Sequence, residues 1–233
     1  MSISTLFSYL HASELDVIIP AEIKNDAFYN AIYKLARTEA LSTVLEIGSS
    51  SGEGSTEAFV RGVSENPSHP TLFCMEVSKT RFTALQQRYQ HTPAVRCYNV
   101  SSIPIDAFPQ PSEVRSFYNS VRTNLNMYEL DRVLGWLQQD INYVKNANVP
   151  QTGIELIKKE NGINHFDMVL IDGSEFSGRA EFNIIYGAKF ILLDDTNAFK
   201  NYFNYKQLLS DPNYVLIEED QQLRNGYAIF KKK

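Results

Sequence analysis

The stretch TVLEIGSSSGEGST, residues 43–56, decides the fold. A short apolar run, Thr43–Ile47, ends in Gly48; Gly52 and Gly54 follow, and Ser55-Thr56 open the helically spaced segment STEAFVRGV. Glycines in such a loop let backbone lie close to a ligand beside a helix N-terminus. Outward from this unit the pattern repeats. TLFCMEV, AVRCYNV, HFDMVLID and KFILLDD read as strands, and KTRFTALQQRYQ, TGIELIKKEN and GRAEFNIIYG between them read as helices. Regular alternation predicts a parallel sheet with helices on both faces. YVLIEED and GYAIFKK, around a polar turn with a glycine, close the chain as an antiparallel hairpin. Upstream, residues 22–37 carry Ile23, Ala27, Phe28, Ala31, Ile32 and Leu35 at helical spacing, which predicts a helical segment within residues 1–40.

The totals suit this reading. The 233 residues allow one sizeable core, and no Pro/Gly/Ser-rich linker divides them, so residues 1–233 read as one domain. Apolar content of 43% with 12% aromatics is that of a packed globular chain, and a net charge of −5 argues against nucleic acid as a partner. With no membrane-length apolar run and no signal-peptide pattern at the N-terminus, the expected setting is the cytoplasm, away from membranes. Cys74 and Cys97 sit in apolar segments without metal-ligand spacing and read as buried free thiols. About fifty residues, bounded by Pro109, Pro111 and Pro150, interrupt the alternation. Leu130, Val133, Leu134, Leu137, Ile141 and Val144 predict a long amphipathic helix there, and Val114–Leu125 a second one. This insert, about 109–150, is read either as packing on the scaffold or as a substrate lid or homodimer surface.

The glycine loop admits more than one ligand. A dinucleotide site prefers G-x-G-x-x-G; here the pattern is E-x-G-x-x-x-G-x-G, with Glu46 two residues before the first glycine. An acid there repels a pyrophosphate and suits a ligand that carries an ammonium group. Glu76, at the end of the next strand, can accept hydrogen bonds from both hydroxyls of a ribose, which S-adenosylmethionine and NAD share. A glycine turn without a ligand and a surface glutamate are the plain alternatives.

The loop resembles motif I of the class I S-adenosylmethionine-dependent methyltransferases. That resemblance implies a glycine loop passing under the methionine part of the cofactor, with Glu46, Gly48, Ser50, Gly52 and Ser55 around it. It also implies that Glu76 holds the ribose and that Asn99, Ser101 and Ser102 lie near adenine. The fold class implied is α/β: a three-layer, Rossmann-like sheet of seven strands, mostly parallel with a C-terminal antiparallel hairpin, plus the helical insert.

A second pair of stretches carries acids. FDMVLIDGSE (166–175) and ILLDDTN (191–197) bring Asp172 and Asp194-Asp195 to the C-terminal edge of the sheet, where the glycine loop also lies. Converging carboxylates raise one another's pKa or demand a cation, and a hard, oxygen-ligated ion such as Mg²⁺ resolves the repulsion. Glycine loop, IDG and DD together resemble the metal-dependent O-methyltransferases of the catechol, cephamycin-pathway and macrolide-sugar types. This resemblance implies a divalent metal on Asp172, Asp194 and Asp195 that binds two oxygens of a small-molecule acceptor. Some of those enzymes carry a His or Lys base three residues after the first acid; here the position holds Glu175, read as a base or, with Ser174, as a cap for the following helix. Arg179 is read as an i,i+4 partner of Glu175 or as a binder of a substrate anion.

His11, His69, His91 and His165 are scattered, and neither a G-x-S-x-G elbow nor a P-loop lysine is present. The expectation is methyl transfer from S-adenosylmethionine to an oxygen of a sugar, phenol or secondary metabolite, with Asp172, Glu175 and Asp195 in catalysis. A nicotinamide-dependent oxidoreductase and a non-catalytic nucleoside-binding scaffold are the rivals.

Overall fold

The structure is a computed structural model that describes residues 14–233; the first part of the N-terminal segment lies outside the described residues. Strands β1 (Thr43–Ile47), β2 (Thr71–Glu76), β3 (Val95–Asn99), β4 (Met168–Ile171), β5 (Phe190–Asp194), β6 (Tyr214–Asp220) and β7 (Tyr227–Lys232) form one seven-stranded sheet. Their order is β3-β2-β1-β4-β5-β7-β6. Pairing is parallel from β3 to β5, and β7 runs antiparallel between β5 and β6. The apolar runs of β4 and β5 are buried along their whole length, as both-face coverage requires.

Helices α1 (Ala27–Thr38), α2 (Ser55–Glu65) and α3 (Lys79–Tyr89) cover one face, over Val44, Leu72, Cys74, Leu170 and Leu192. The helix predicted from residue 22 starts at Ala27, because Asp26 caps it: its Oδ1 accepts the Tyr29 N–H at 2.8 Å. Such a cap contributes about 1 kcal/mol. Phe28 stacks on Tyr227 of β7 at 4.4 Å between ring centroids, which ties α1 to the C-terminal hairpin.

The insert folds as α4 (Pro111–Ser120), a 3-10 turn over Asn124–Met127 and α5 (Leu130–Asn146). The second predicted helix is thus shorter and begins earlier than its apolar pattern suggested, with Pro111 in its first turn. Val114, Phe117, Val133, Leu137 and Val144 of the insert pack with Phe176 into a separate apolar cluster. On the other face of the sheet α6 (Gly153–Asn161), α7 (Gly178–Ile185) and α8 (Tyr202–Ser210) lie over Leu45, Ile47, Phe73, Val169, Ile171 and Ile191. The sequence reading passed over α8. Cys74 and Cys97 face each other across β2 and β3 as free thiols, the first buried and the second half-buried. Among the described residues no helix is long and apolar enough to cross a membrane.

Chain order sets where a ligand can sit. From β1 the chain steps outward to β2 and β3, then returns to the other side of β1 as β4 and β5. Connections leave β1 and β4 in opposite directions, and this opens a crevice at their C-terminal ends.

Candidate active site

Gly48 leaves β1 at φ +91°, a left-handed conformation that favours glycine, and a Cβ there would stand 2.2 Å from the carbonyl oxygen of Asp172. The loop thus presses backbone to backbone against the end of β4. The N–H groups of Gly48 and Ser49 both donate to the Met75 carbonyl, at 3.1 and 2.9 Å. Ser50 follows at φ +47° and donates its N–H to Glu76 Oε2 at 2.8 Å, while Ser78 N–H donates to Glu76 Oε1 at 2.7 Å. Each of these carboxylate oxygens keeps a second lone pair. Burial pushes the Glu76 pKa up against those two hydrogen bonds.

A cavity of about 360 Å³ lies above this loop. Gly48, Ser50, Ser55, Glu76, Ser101, Ser102, Asp172, Asp194 and Asp195, all singled out from the sequence, line it. Glu46, Gly52, Asn99 and Glu175 are outside that lining. Glu46 is fully buried beneath the loop, where its Oε2 accepts from Ser49 Oγ and Thr56 Oγ1, each at 2.7 Å, and Oε1 has no partner. Burial raises its pKa. Its place is that of a brace for the loop and the start of α2, in contrast to the ligand contact expected of it. Gly52 admits α3 instead of a ligand: a Cβ would meet Tyr89 and Leu85 at 2.8 and 2.9 Å. Asn99 shapes the turn after β2, its amide donating to the carbonyls of Glu76 and Val77 at 2.9 and 3.0 Å.

At the other end of the cavity three carboxylates converge. One oxygen each of Asp172, Asp194 and Asp195 lies within 4.8 Å of the others. Asp195 holds φ +55°, so the acid after β5 turns back toward the site instead of continuing the strand. Lys200, which the sequence reading did not single out, occupies the space between them. Its Nζ is 2.9 Å from Asp172 Oδ1 and 2.7 Å from Asp195 Oδ2. Arg224 takes Asp194, 3.1 Å from Oδ1, and also pairs with Asp26 at the head of α1; Asn225 donates to Asp195 Oδ1 at 3.0 Å.

Charges there reflect that pairing. Burial pushes the Asp172 pKa up to about 6 and lifts Asp194 well above the usual range, with Asp172 adding to the second shift. Burial works the same way on Asp195, but Lys200, Asn225 and Arg224 outweigh it and hold that carboxyl low. For Lys200 burial disfavours the ammonium, and the surrounding acids, Asp195 and Asp172 foremost, more than restore it.

Glu175 faces away from the cavity. Its Oε1 accepts the N–H of Phe199 at 2.7 Å and that of Lys200 at 3.4 Å, so it caps the loop ahead of α8 and not the helix that follows it in sequence. Arg179 turns from Glu175 as well, donating to Asn204 at 3.2 Å and Gln207 at 2.8 Å, both on α8. Ser174 Oγ accepts the Phe176 N–H at 3.1 Å and donates to Asp140.

Two covers complete the cavity. From the insert, α5 supplies Asp140, Tyr143 and Val144; burial raises the Asp140 carboxyl to about 6. From the N-terminal side, Leu15 and Ile19–Ile23 run across the opening. Asp16 joins the two, accepting from Ser78 Oγ at 2.9 Å and from Tyr143 Oη at 2.6 Å, and Arg81 Nε holds the Val17 carbonyl at 3.0 Å.

No protein-family model and no curated protein sequence matches the chain. Solved structures do. An O-methyltransferase from Bacillus cereus in complex with SAH is 13% identical, with a TM-score of 0.52 over 100% of this chain and 92% of that one. Cofactor-bound Rv0187 from MTB is 16% identical, with a TM-score of 0.54 over 99% and 90%. A methyltransferase from Geobacter sulfurreducens is 12% identical, with a TM-score of 0.51 over 100% and 97%. The chain has the fold of these proteins, two of which are described as methyltransferases. Its sheet order and the placing of its glycine loop agree with the α/β expectation drawn from the sequence.

The order of the sheet says where a ligand would lie, at the C-terminal ends of β1 and β4, and the side chains say what fits. Glu76 offers free lone pairs at one end and the glycine loop offers a close backbone floor, which suit a nucleoside joined to an extended, positively charged arm. A divalent ion on Asp172, Asp194 and Asp195 does not fit in the same way. Magnesium needs oxygens at about 2.0–2.1 Å around an open centre, and the Lys200 ammonium already stands between two of these three carboxylates.

Proposed function

We propose that this chain is an S-adenosylmethionine-dependent methyltransferase acting on an oxygen of a small, hydroxylated acceptor, such as a sugar, a phenol or a secondary metabolite. The observation that carries this reading is one continuous cavity joining Glu76, the Gly48 loop and the Asp172–Asp195–Lys200 cluster at the switch point of the sheet. The three solved structures with this fold are methyltransferase or cofactor-bound proteins by description, which supports the assignment.

Chemistry at such a site needs placement more than a nucleophilic side chain, since the sulfonium is already activated. A lone pair of the acceptor oxygen attacks the methyl carbon. The new C–O bond forms as the C–S bond breaks, and that electron pair stays on sulfur to give neutral S-adenosylhomocysteine. The acceptor's proton passes to a carboxylate, and Asp172 is the one we assign. It lines the cavity, and burial, by lifting its pKa to about 6, makes it a better proton acceptor than an exposed aspartate. Glu175 is excluded from this role by position, because backbone N–H groups of another loop hold it. The covers over the cavity keep water from competing for the methyl group.

Calorimetric titration with S-adenosylhomocysteine, alongside NADH, tests the assignment. Saturable binding of the first and none of the second is expected. Binding of NADH alone would replace this reading by an oxidoreductase on a similar sheet.

A further inference from the structure

Lys200 is built into the acid cluster from several sides. Gly178, the first residue of α7, makes room for its backbone: a Cβ there would stand 2.2 Å from the Lys200 carbonyl oxygen and 3.1 Å from its Cγ. Asn201 is fully buried and its amide donates to the carbonyls of Ile171 and Asp194, at 3.1 and 2.7 Å, so the loop is fastened to the ends of β4 and β5. Asn204 donates to the Gly178 carbonyl at 2.9 Å, and Glu175 accepts the N–H of Phe199 and of Lys200. Only 6% of Lys200 is exposed. A flexible surface lysine needs none of these supports.

Electrostatics favour the same conclusion. Asp172, Asp194 and Asp195 already face two cations, Lys200 and Arg224. A divalent ion entering between Asp172 and Asp195 would have to expel the ammonium from its partners while its stem stays buried. Stripping one partner from a buried ion pair leaves an uncompensated charge in the interior, which is strongly unfavourable.

We propose that Lys200 is the resident cation of this site: its ammonium stands where the sequence resemblance placed a divalent metal, and the protein works without one. An ammonium has three N–H donors. Two are spent on Asp172 and Asp195, and since Lys200 lines the cavity, the third is available to an acceptor oxygen. Lys200 then orients the hydroxyl, and Asp172 beside it receives the proton. The catalytic meaning rests on the transferase reading; the absence of a metal site does not.

The test uses the full chain, stripped with a chelator and dialysed. Mn²⁺ binding is followed by the paramagnetic resonance of the free ion, with S-adenosylhomocysteine affinity measured on the same samples. Wild-type protein is expected to leave the free Mn²⁺ signal undiminished, and added Mg²⁺ to change the affinity by less than about twofold. Lys200→Ala opens the triad and is expected to gain a Mn²⁺ site, which a further Asp172→Asn removes. Stoichiometric Mn²⁺ uptake by wild type, lost in Asp195→Asn, overturns the proposal. So does a folded Lys200→Ala that takes up no Mn²⁺. Wild-type titration decides the matter even where Lys200→Ala does not fold. Failure of every sample to bind S-adenosylhomocysteine would remove the transferase reading and leave the Mn²⁺ result standing.

Discussion

Glu175→Gln separates a structural carboxyl from a catalytic one. Burial, with the nearby Asp195 charge adding to it and Lys200 opposing, pushes the Glu175 pKa from 4.5 to about 7 in the folded protein. A raised carboxyl pKa means that the folded state holds the proton more tightly than the unfolded chain does. Its contribution to stability is therefore complete below about pH 4.5 and is lost as pH rises through about 7. At about 1.4 kcal/mol per pH unit, the loss comes to about 3 kcal/mol. Glutamine keeps an oxygen for the Phe199 N–H at nearly the same shape but has no charge to bury. Urea unfolding of both proteins at about pH 4 and about pH 8 should show Glu175→Gln gaining about 3 kcal/mol on wild type between the two conditions. Binding of S-adenosylhomocysteine should be unchanged. A stability difference that is flat with pH would refute the reasoning, because it would mean the carboxyl is solvated or already ionised in the fold.

Two other changes probe the floor and the cover of the cavity. Gly48→Ala puts a side chain at φ +91° and 2.2 Å from the Asp172 carbonyl, so the loop must lift from β4; calorimetry should show S-adenosylhomocysteine affinity falling more than about tenfold, about 1.4 kcal/mol. Asp16→Ala removes the acceptor shared by Ser78 and Tyr143, leaving the core untouched. Affinity should drop about tenfold, since hydrogen bonds to a charged group are worth about 1.5–3 kcal/mol, while the melting temperature without ligand stays within about 1 °C, because the N-terminal cover opens locally without unfolding the core.

Much of the sheet was legible because its strands are unbroken apolar runs, which only a both-face covering accounts for, and because Gly48 marks where the first one stops. Asp172, Asp194 and Asp195 were legible for the same reason: acids that end such runs must lie together at one edge. What the sequence hid was pairing across distance. Lys200 sits in a polar, aromatic stretch, DDTNAFKNYFNYK, with little helical periodicity, so α8 went unread and the lysine with it. Arg179 then seemed to have Glu175 as its natural partner, when its partners Asn204 and Gln207 lie on the missing helix. Glu46 misled for a different cause: an acid beside a glycine loop looks the same in sequence whether it points up to a ligand or down to Ser49 and Thr56. One signal was available for Lys200. A basic residue five places after two adjacent acids is a candidate counter-ion whenever those acids are predicted to be buried.

Arg224 has a consequence for how the protein is made. Its guanidinium joins Asp26, at the head of the first described α-helix, to Asp194, at the edge of the cavity, and it stands in the turn before β7. During synthesis the acidic edge is therefore left one cation short until that turn has emerged from the ribosome and β7 has slotted in beside β5. A nascent chain can build β1 to β4 and the glycine loop early, since those pairings are complete without the hairpin. The acid cluster is instead finished only when the turn ahead of β7 is in place. A chain that stopped before that turn would leave Asp194 without Arg224 and the edge of β5 without its antiparallel neighbour.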